Sequence, residues 1–302
     1  MVKFTANDIP PLDGKVIIVT GGNVGLGKET VSQLGKHNPA KIYIASRSQS
    51  RSEAAIKELQ AENPQISPLA FLPLDLSSFA SIKAATETFV RQESRLDLVV
   101  ANAGIMMVAP GLTADGYEIQ FGTNHMGHAL FIQRLLPLMH STRQIAVNVP
   151  RIVIVSSGSI AMVPTDIYPF DALKTNMASR RTTQRYTISK TANFQYARVL
   201  SEKNPDLDIV CVHPGMVNTG LSASTDGFFL RWFNVLVSAA FGTSASIGAL
   251  NQIWAAVSPD VKTGGSYGPV GVEWKGSAPA RKQDVAEQLY EWTQKELAPH
   301  VP

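Results

Sequence analysis

Cysteine is almost absent from the sequence: there is one, Cys211, so no disulfide can form within a single chain. It lies in the apolar run at residues 209–212, which predicts a buried strand position and argues against a nucleophile. The N-terminal residues 1–8 also lack the apolar core of a secretory signal peptide. These two absences favour a reducing compartment, and we expect a cytoplasmic location.

An apolar run long enough to cross a bilayer is also lacking. The longest apolar stretch after residue 220 covers residues 228–241 and contains Arg231. It is shorter than the roughly 20 helical residues that a membrane span needs, so we expect no integral membrane segment. We interpret this stretch as a helix covering an active-site cleft, with peripheral contact to a membrane as the alternative.

Neither sign of charge is in large excess. A total of 27 Lys and Arg residues against 24 Asp and Glu residues leaves a net charge of +3. Because the basic residues are scattered, nucleic acid is not an expected partner. The composition, 44% apolar and 17% charged, is that of an ordinary globular protein. The sequence shows no linker, repeat or low-complexity segment, which predicts a single domain over residues 1–302.

Short β-rich runs alternate with helical patterns along the chain. This alternation predicts an α/β fold, a Rossmann-type doubly wound parallel sheet of about seven strands with helices on both faces. The long connections at about 158–185 and 216–240 are predicted substrate loops. The predicted strands cover residues 16–20, 41–45, 69–74, 96–101, 151–156, 207–212 and 265–268, and the helices residues 28–36, 51–62, 78–93, 118–139, 187–203 and 245–257.

A glycine-rich loop follows the first predicted strand. Glycines at these positions allow a tight turn and a close approach of the backbone to a pyrophosphate, while the next helix begins with free N–H groups. A plain turn between strand and helix is the alternative interpretation. The candidate cofactor-binding residues of this loop are Gly21, Asn23, Gly25, Leu26 and Gly27.

The end of the second predicted strand indicates which dinucleotide the loop would bind. An acidic residue there would hold a ribose 2′-hydroxyl, whereas an arginine suits a 2′-phosphate. The strand ends in Ser46, Arg47 and Ser48, with no acid, which favours NADP(H) over NAD(H). A solvated surface arginine is the alternative. Further candidate cofactor contacts after the third and fourth strands are Asp75, Leu76, Asn102, Ala103 and Gly104.

Tyr186 and Lys190 are the candidate chemical centre. Residues four apart share one face of a helix, so both side chains can point the same way. A free tyrosine has a pKa of about 10, and a nearby ammonium favours its ionised form. We therefore expect Lys190 to lower the pKa of Tyr186. A surface pair on a helix is the alternative, because the Y-x-x-x-K pattern is common by chance.

Taken together, these motifs resemble the short-chain dehydrogenase/reductase family over roughly residues 12–270. The similarity is greatest to the retinol-dehydrogenase-like and fungal Bli-4-like branch. The segments most similar to that branch begin at Asn102 (Asn-Ala-Gly-Ile-Met) and at Asn124 (Asn-His-Met-Gly-His-Ala-Leu-Phe). The order of motifs that carries the resemblance is the glycine loop, Asn102-Ala-Gly104, Asn124, Ser157, Tyr186, Lys190 and His213-Pro-Gly215.

The resemblance implies a role for each matching residue. Tyr186 would be the general acid in reduction and the base in oxidation, and Lys190 would also bond the nicotinamide ribose. Ser157, chosen over Ser156, would hold the substrate oxygen, and Asn124 would order a water in a proton relay. The implied nicotinamide pocket comprises Pro214, Gly215, Val217 and Thr219.

The expected function is therefore NADP(H)-dependent interconversion of a carbonyl and an alcohol, with a lipophilic ketone or aldehyde as substrate and a homo-oligomer as a possible assembly. A non-catalytic NADP(H)-sensing regulator, or an epimerase or dehydratase on the same fold, are the alternatives. No metal is expected, because His125 and His128 suit helix packing and His213 suits a strand end.

Overall fold

The computed structural model describes residues 3–215 and 244–302. Within them, eight strands form one sheet in the order β3-β2-β1-β4-β5-β6-β7-β8, parallel up to β7. This confirms the predicted α/β doubly wound fold and adds a short antiparallel strand, β8. The strands are β1 (Val16–Thr20), β2 (Lys41–Ser46), β3 (Leu69–Pro73), β4 (Leu98–Ala101), β5 (Arg151–Val155), β6 (Asp208–Val212), β7 (Ser266–Gly268) and β8 (Val272–Glu273).

Helices follow most of the strands. A π-helical turn, Gly122–Met126, joins α4 and α5 into one continuous helical segment. No helix of the described ranges is long and apolar enough to span a membrane. The α-helices of these ranges are α1 (Gly25–Gly35), α2 (Gln49–Glu62), α3 (Phe79–Gln92), α4 (Ile119–Phe121), α5 (Gly127–Ile145), α6 (Thr182–Lys203), α7 (Ala245–Val257) and α8 (Gln283–Leu297).

The sheet separates two apolar cores, because alternate residues of each strand point to opposite faces. In β1, Ile18 packs with residues of α3, α5, α6 and α8, whereas Ile17 and Val19 pack with residues of α1, α2 and α7. The central strands are buried over their whole length, as expected for a parallel sheet covered on both sides. Helices therefore cover both faces of the sheet.

Several predicted boundaries are corrected by the structure. Helix α6 begins at Thr182 and not at residue 187, so Tyr186 lies in its second turn. The helix predicted over 118–139 continues to Ile145 and contains the π turn. Helix α8 was not predicted, although its buried residues Ala286, Leu289, Thr293 and Leu297 follow a helical spacing. Strand β8 has only two residues, too few for any periodicity.

The strand order reverses between β1 and β4. The helices that follow these two strands lie on opposite faces of the sheet, which opens a crevice at their carboxyl ends. Strand β3 lies at one edge of the sheet, which accommodates Pro73 at its end, because an edge residue needs no second ladder hydrogen bond. The crevice therefore lies where the sequence motifs cluster.

Candidate active site

A cavity of about 740 Å³ lies at the carboxyl ends of β1 to β6. Its lining brings together most of the candidate residues, although they are spread over almost 200 positions of sequence. Val217 and Thr219 lie outside the described residues, as does the apolar stretch 228–241. The predicted residues that line the cavity are Gly21, Asn23, Gly25, Leu26, Gly27, Ser46, Arg47, Asp75, Leu76, Asn102, Ala103, Gly104, Ser157, Tyr186, Lys190, Pro214 and Gly215.

The glycine loop forms a cradle that brings its backbone to the surface of the cavity. Gly21 and Gly25 have φ values of +67° and +53°, which glycine adopts without strain. A Cβ atom on Gly27 would lie 2.2 Å from the carbonyl oxygen of Gly21, so only glycine fits there. Helix α1 begins at Gly25 and its N-cap residue, Val24, provides no side-chain cap. The first N–H groups of α1 therefore face the cavity without a side-chain partner, an arrangement suited to an anion.

Asn102 fixes the loop after β4 against the loop after β1. Its amide Nδ2 donates to the carbonyl of Thr20 at 2.9 Å, and Ala103 N donates to the Thr20 hydroxyl at the same distance. The Oδ1 of Asn102 accepts a hydrogen bond from Nε2 of Gln252, and the same nitrogen also donates to the Thr30 hydroxyl on α1. Sequence reasoning missed Gln252, which lies 150 positions from Asn102 and is fully buried. The cradle is therefore held in place by buried polar side chains.

Two arginines border the cavity where β2 ends. Arg47 and Arg51 both line it and both are exposed. Ser46 is buried and its hydroxyl hydrogen-bonds that of Ser52 at 2.6 Å. The Ser48 hydroxyl accepts from Arg51 N and caps α2. Arg51 was not predicted, because nothing in the sequence separates it from an ordinary solvated helix residue. Arg51 reaches the cavity because it lies in the first turn of α2, three residues after the N-cap residue Ser48.

Ser157 and Tyr186 lie together at the other end of the cavity. The neighbouring Ser156 also lines the cavity, but its hydroxyl donates to the carbonyl of Lys190 at 2.7 Å. Burial raises the pKa of Tyr186, and a hydrogen bond with Ser157 partly opposes this rise. The lowered Tyr186 pKa expected from the sequence is thus not seen for the protein's own groups, since desolvation of the phenolate outweighs them.

Lys190 is almost fully buried beside the two loops. Its Nζ donates to the carbonyl of Val155 at 3.0 Å and lies 3.4 Å from where a Cβ of Gly104 would be. Burial lowers its pKa to about 8, because a charged ammonium loses its hydration there. A lysine with this pKa changes charge near neutral pH, which few surface lysines do.

Asn124 lies in the π turn behind the cavity wall and is 0% exposed. Its Oδ1 accepts from Ile105 N at 2.8 Å, and its Nδ2 donates to the Ile105 carbonyl and to the Ser189 hydroxyl, both at 2.9 Å. Ser189 in turn donates to the carbonyl of Tyr186. Both amide protons of Asn124 are therefore used in holding the wall segment and α6 together, and its role toward a water remains a prediction.

The buried Lys190 gives a pH-dependent stability. Its pKa of about 8 lies below the usual 10.5, so the unfolded chain binds more protons between these values and stability rises with pH across this window. We expect Lys190→Met to be more stable than the wild type below pH 8, by a few kcal/mol, and this advantage to shrink toward pH 10.5. Urea unfolding of the cofactor-free proteins at pH 7, 8, 9 and 10 measures the difference. An advantage that stays constant with pH contradicts it.

The histidines and the cysteine lie as the sequence predicted. His125 and His128 are buried in the helical segment and hydrogen-bond Thr293 and Thr20, and burial lowers their pKa values to about 3 and about 4. His213 directly follows β6, and Cys211 is buried within it. Among residues 3–215 and 244–302, no cluster of His, Cys, Asp or Glu could hold a metal ion.

Comparisons with known proteins identify the family of this chain. The family model for short chain dehydrogenase matches residues 15–227. A short-chain dehydrogenase/reductase of Armillaria gallica is 35% identical over 299 residues, covering 96% of this chain and 92% of that protein. Retinol dehydrogenase 12 of Mus musculus is 30% identical over 283 residues, covering 92% of this chain and 85% of that protein.

The fold has a match among solved structures. An uncharacterized protein from Mycobacterium paratuberculosis has a TM-score of 0.76 and 24% identity, with 98% of each chain covered. The structural match shows the fold, whereas the family model and the sequence relatives, which match most of the chain, identify the family. The chain therefore belongs to the short-chain dehydrogenase/reductase family, a family of nicotinamide-dependent oxidoreductases, and to its retinol-dehydrogenase-like branch.

Proposed function

We propose that this protein is an NADP(H)-dependent oxidoreductase that reduces a lipophilic ketone or aldehyde to an alcohol. The observation that carries the proposal is the single cavity, with a glycine cradle and two arginines toward one end and Ser157, Tyr186 and Lys190 at the other. Such a cavity can hold a dinucleotide along its length and a carbonyl at its far end.

The cofactor end follows from the shape and charge of the lining. The glycine cradle and the N-terminus of α1 would receive the pyrophosphate, and Asp75 would border the adenine. Arg47 and Arg51 would bind the 2′-phosphate, because guanidinium groups pair with phosphate through several charge-assisted hydrogen bonds. Pro214 and Gly215 would border the nicotinamide, and Lys190 would bond its ribose. The cofactor supplies the hydride.

The proton would come from Tyr186. Because burial raises its pKa, the phenol stays protonated at neutral pH, which is the form that a general acid needs in reduction. Ser157 beside it would hold the carbonyl oxygen. Oxidation would instead need the phenolate, which the buried site disfavours unless positive charge lies close by. The protonated phenol is therefore the form that would donate the proton in a reduction.

The substrate end is apolar. Ile105, Met106, Met107 and Val155 line the cavity near the catalytic side chains. A lipophilic substrate would bury hydrocarbon surface against these side chains. Each Å² of apolar surface removed from water would strengthen binding by roughly 25 cal/mol. Methionine side chains also adapt to irregular shapes. These walls support a lipophilic carbonyl as the substrate.

The proposal is tested by following NADPH oxidation with a panel of lipophilic ketones and aldehydes. We expect net NADPH consumption with at least one member. A non-catalytic sensor would bind NADPH without turnover, and an epimerase or dehydratase would convert substrate without net NADPH consumption. Either outcome contradicts the proposal and identifies which alternative holds.

The cofactor preference is tested at the two arginines. We expect Arg47→Ala and Arg51→Ala each to raise the KM for NADPH by about tenfold or more, because each removes charge-assisted hydrogen bonds worth about 1.5–3 kcal/mol. The KM for NADH should change little. Arg91→Ala is the matched control, since this exposed arginine of α3 contacts Thr88 and does not line the cavity. An unchanged ratio of the two KM values in both cavity variants contradicts the assignment.

A further inference from the structure

A fully buried ion pair lies next to the candidate active site. Arg185 Nη1 donates to Glu118 Oε1 at 2.7 Å, and the two residues are 2% and 0% exposed. Burying two charges costs several kcal/mol per ion, and a well-packed apolar pair is often as stable or more so. A gain in stability therefore does not account for a buried ion pair at this position, and its place beside the candidate active site suggests a role in function.

The pair connects the helix of Tyr186 to one wall of the cavity. Arg185 directly precedes Tyr186 in α6, and its Nη2 donates to the carbonyl of Val108 at 2.9 Å. Glu118 uses its other oxygen, Oε2, to accept from Phe121 N at 2.7 Å, which caps α4. One buried pair thus joins three separate segments: the first turn of α6, the start of α4, and the segment that ends at Val108.

Side chains hydrogen-bond the backbone of three of the four residues of that segment, residues 105–108. We call it the substrate wall, because Ile105, Met106 and Met107 line the cavity. Asn124 bonds both the N–H and the carbonyl of Ile105. Gln120 accepts from Met107 N at 2.8 Å, and the carbonyl of Val108 accepts a second hydrogen bond, from the Thr182 hydroxyl at 2.9 Å.

The substrate wall also adopts an unfavourable backbone conformation. Met107 has a φ of +54°, in the left-handed region that non-glycine residues seldom occupy. A conformation of this kind persists only where the surroundings determine it, and it costs on the order of 1–3 kcal/mol. The contacts from α4, the π turn and α6 supply this determination. Among the residues that make these contacts, Arg185 directly precedes Tyr186 in α6.

We propose that the Arg185–Glu118 pair is a positioning device that sets the separation between the substrate wall and Tyr186, and so decides which carbonyl compounds react. This inference rests on the proposed function. A bulky lipophilic carbonyl touches both the wall and Tyr186, so it needs the correct separation. A small carbonyl reaches Tyr186 without touching the wall, and it should be much less sensitive to the pair.

The test compares Arg185→Met, Arg185→Lys and Glu118→Gln with the wild type. We expect Arg185→Met to lower kcat/KM for a bulky ketone by about tenfold to hundredfold, because misplacement by about 1 Å can cost that much. For a small ketone we expect less than a threefold loss, and the Kd for NADPH should stay within twofold. Arg185→Lys keeps the charge but reaches only one of the two acceptors, so it should restore part of the activity.

Arg134→Met is the matched control. This arginine of α5 is also largely buried, contacts Thr86 and the carbonyl of His300, and does not line the cavity. It should lower the melting temperature without changing the ratio of kcat/KM for the bulky and the small ketone. If Arg185→Met and Glu118→Gln lower the melting temperature and leave this ratio unchanged, the pair is merely structural and the proposal is overturned.

A second measurement is independent of turnover. Hydrogen exchange should become at least tenfold faster at the amide of Met107 in Arg185→Met and Glu118→Gln, but not in Arg134→Met, because only the first two release the wall. If the wild type reduces no carbonyl compound, the proposed function fails, and the exchange rates alone decide whether the pair positions the wall. Unchanged exchange in both pair variants contradicts the positioning role.

Discussion

Replacing Tyr186 with Phe is expected to lower kcat for carbonyl reduction by about 10²–10⁴-fold, the usual contribution of a general acid. The phenol is the group beside Ser157 at the catalytic end of the cavity, and burial keeps it protonated. Phe keeps the ring and its packing but has no proton to give. Because the glycine cradle is untouched, the Kd for NADPH should change by less than about threefold.

Tyr196→Phe provides the control for this experiment. Tyr196 lies on the same helix, is 2% exposed, and accepts a hydrogen bond from Gln133, but it does not line the cavity. Its substitution should cost roughly 1 kcal/mol of stability for the lost hydrogen bond and leave kcat nearly unchanged. Single-turnover measurements with both variants separate the chemical step from binding. Near-wild-type turnover in Tyr186→Phe would refute the acid role.

Gly27→Ala is expected to weaken NADPH binding by about 5–150-fold. The added Cβ would lie 2.2 Å from the Gly21 carbonyl oxygen and 2.7 Å from Nδ2 of Asn102. The first atom belongs to the cradle and the second to the side chain that holds the cradle in place, so the loop must move away from its present position. Overpacking of this kind costs about 1–3 kcal/mol, which corresponds to about 5–150-fold if it is expressed in the binding equilibrium.

Gly111→Ala is the matched substitution outside the cradle. A Cβ there meets only Ile119, at 3.8 Å, an ordinary packing distance. Calorimetric titration with NADPH, together with the melting temperature of each variant, measures both the binding and the folding consequence. The predicted cradle would be disproved by a Gly27→Ala protein with wild-type affinity and wild-type melting temperature.

The sequence predicts the sheet well, because each buried strand is an apolar, β-branched run that ends in a polar or glycine-rich turn. Residues 16–20, for example, match β1 residue for residue. The π turn at Gly122–Met126 could not be predicted, since a shift of the backbone hydrogen bonds leaves the hydrophobic pattern unchanged. Helix α8 could have been predicted from its spacing of buried residues.

The candidate site is predictable where a motif names the residue, and less so where only the fold brings residues together. Gly27 and Tyr186 belong to motifs that are legible in the sequence. Glu118 and Arg185 are 67 positions apart, and either alone resembles a solvated charge. The pKa of Tyr186 could not be inferred either, because its rise comes from burial, which depends on how tightly α6 packs against the loops.

The reactivity of the single cysteine, Cys211, can be used to measure local unfolding of the sheet. Cys211 lies in the middle of the sheet, and burial raises the pKa of its thiol to about 12, so the folded protein holds it unreactive toward thiol reagents at neutral pH. A labelling reagent can therefore modify the chain only when β6 leaves the sheet. The ratio of the labelling rates with and without NADPH gives the change that cofactor binding makes in the free energy of this opening. The measurement needs no engineered probe.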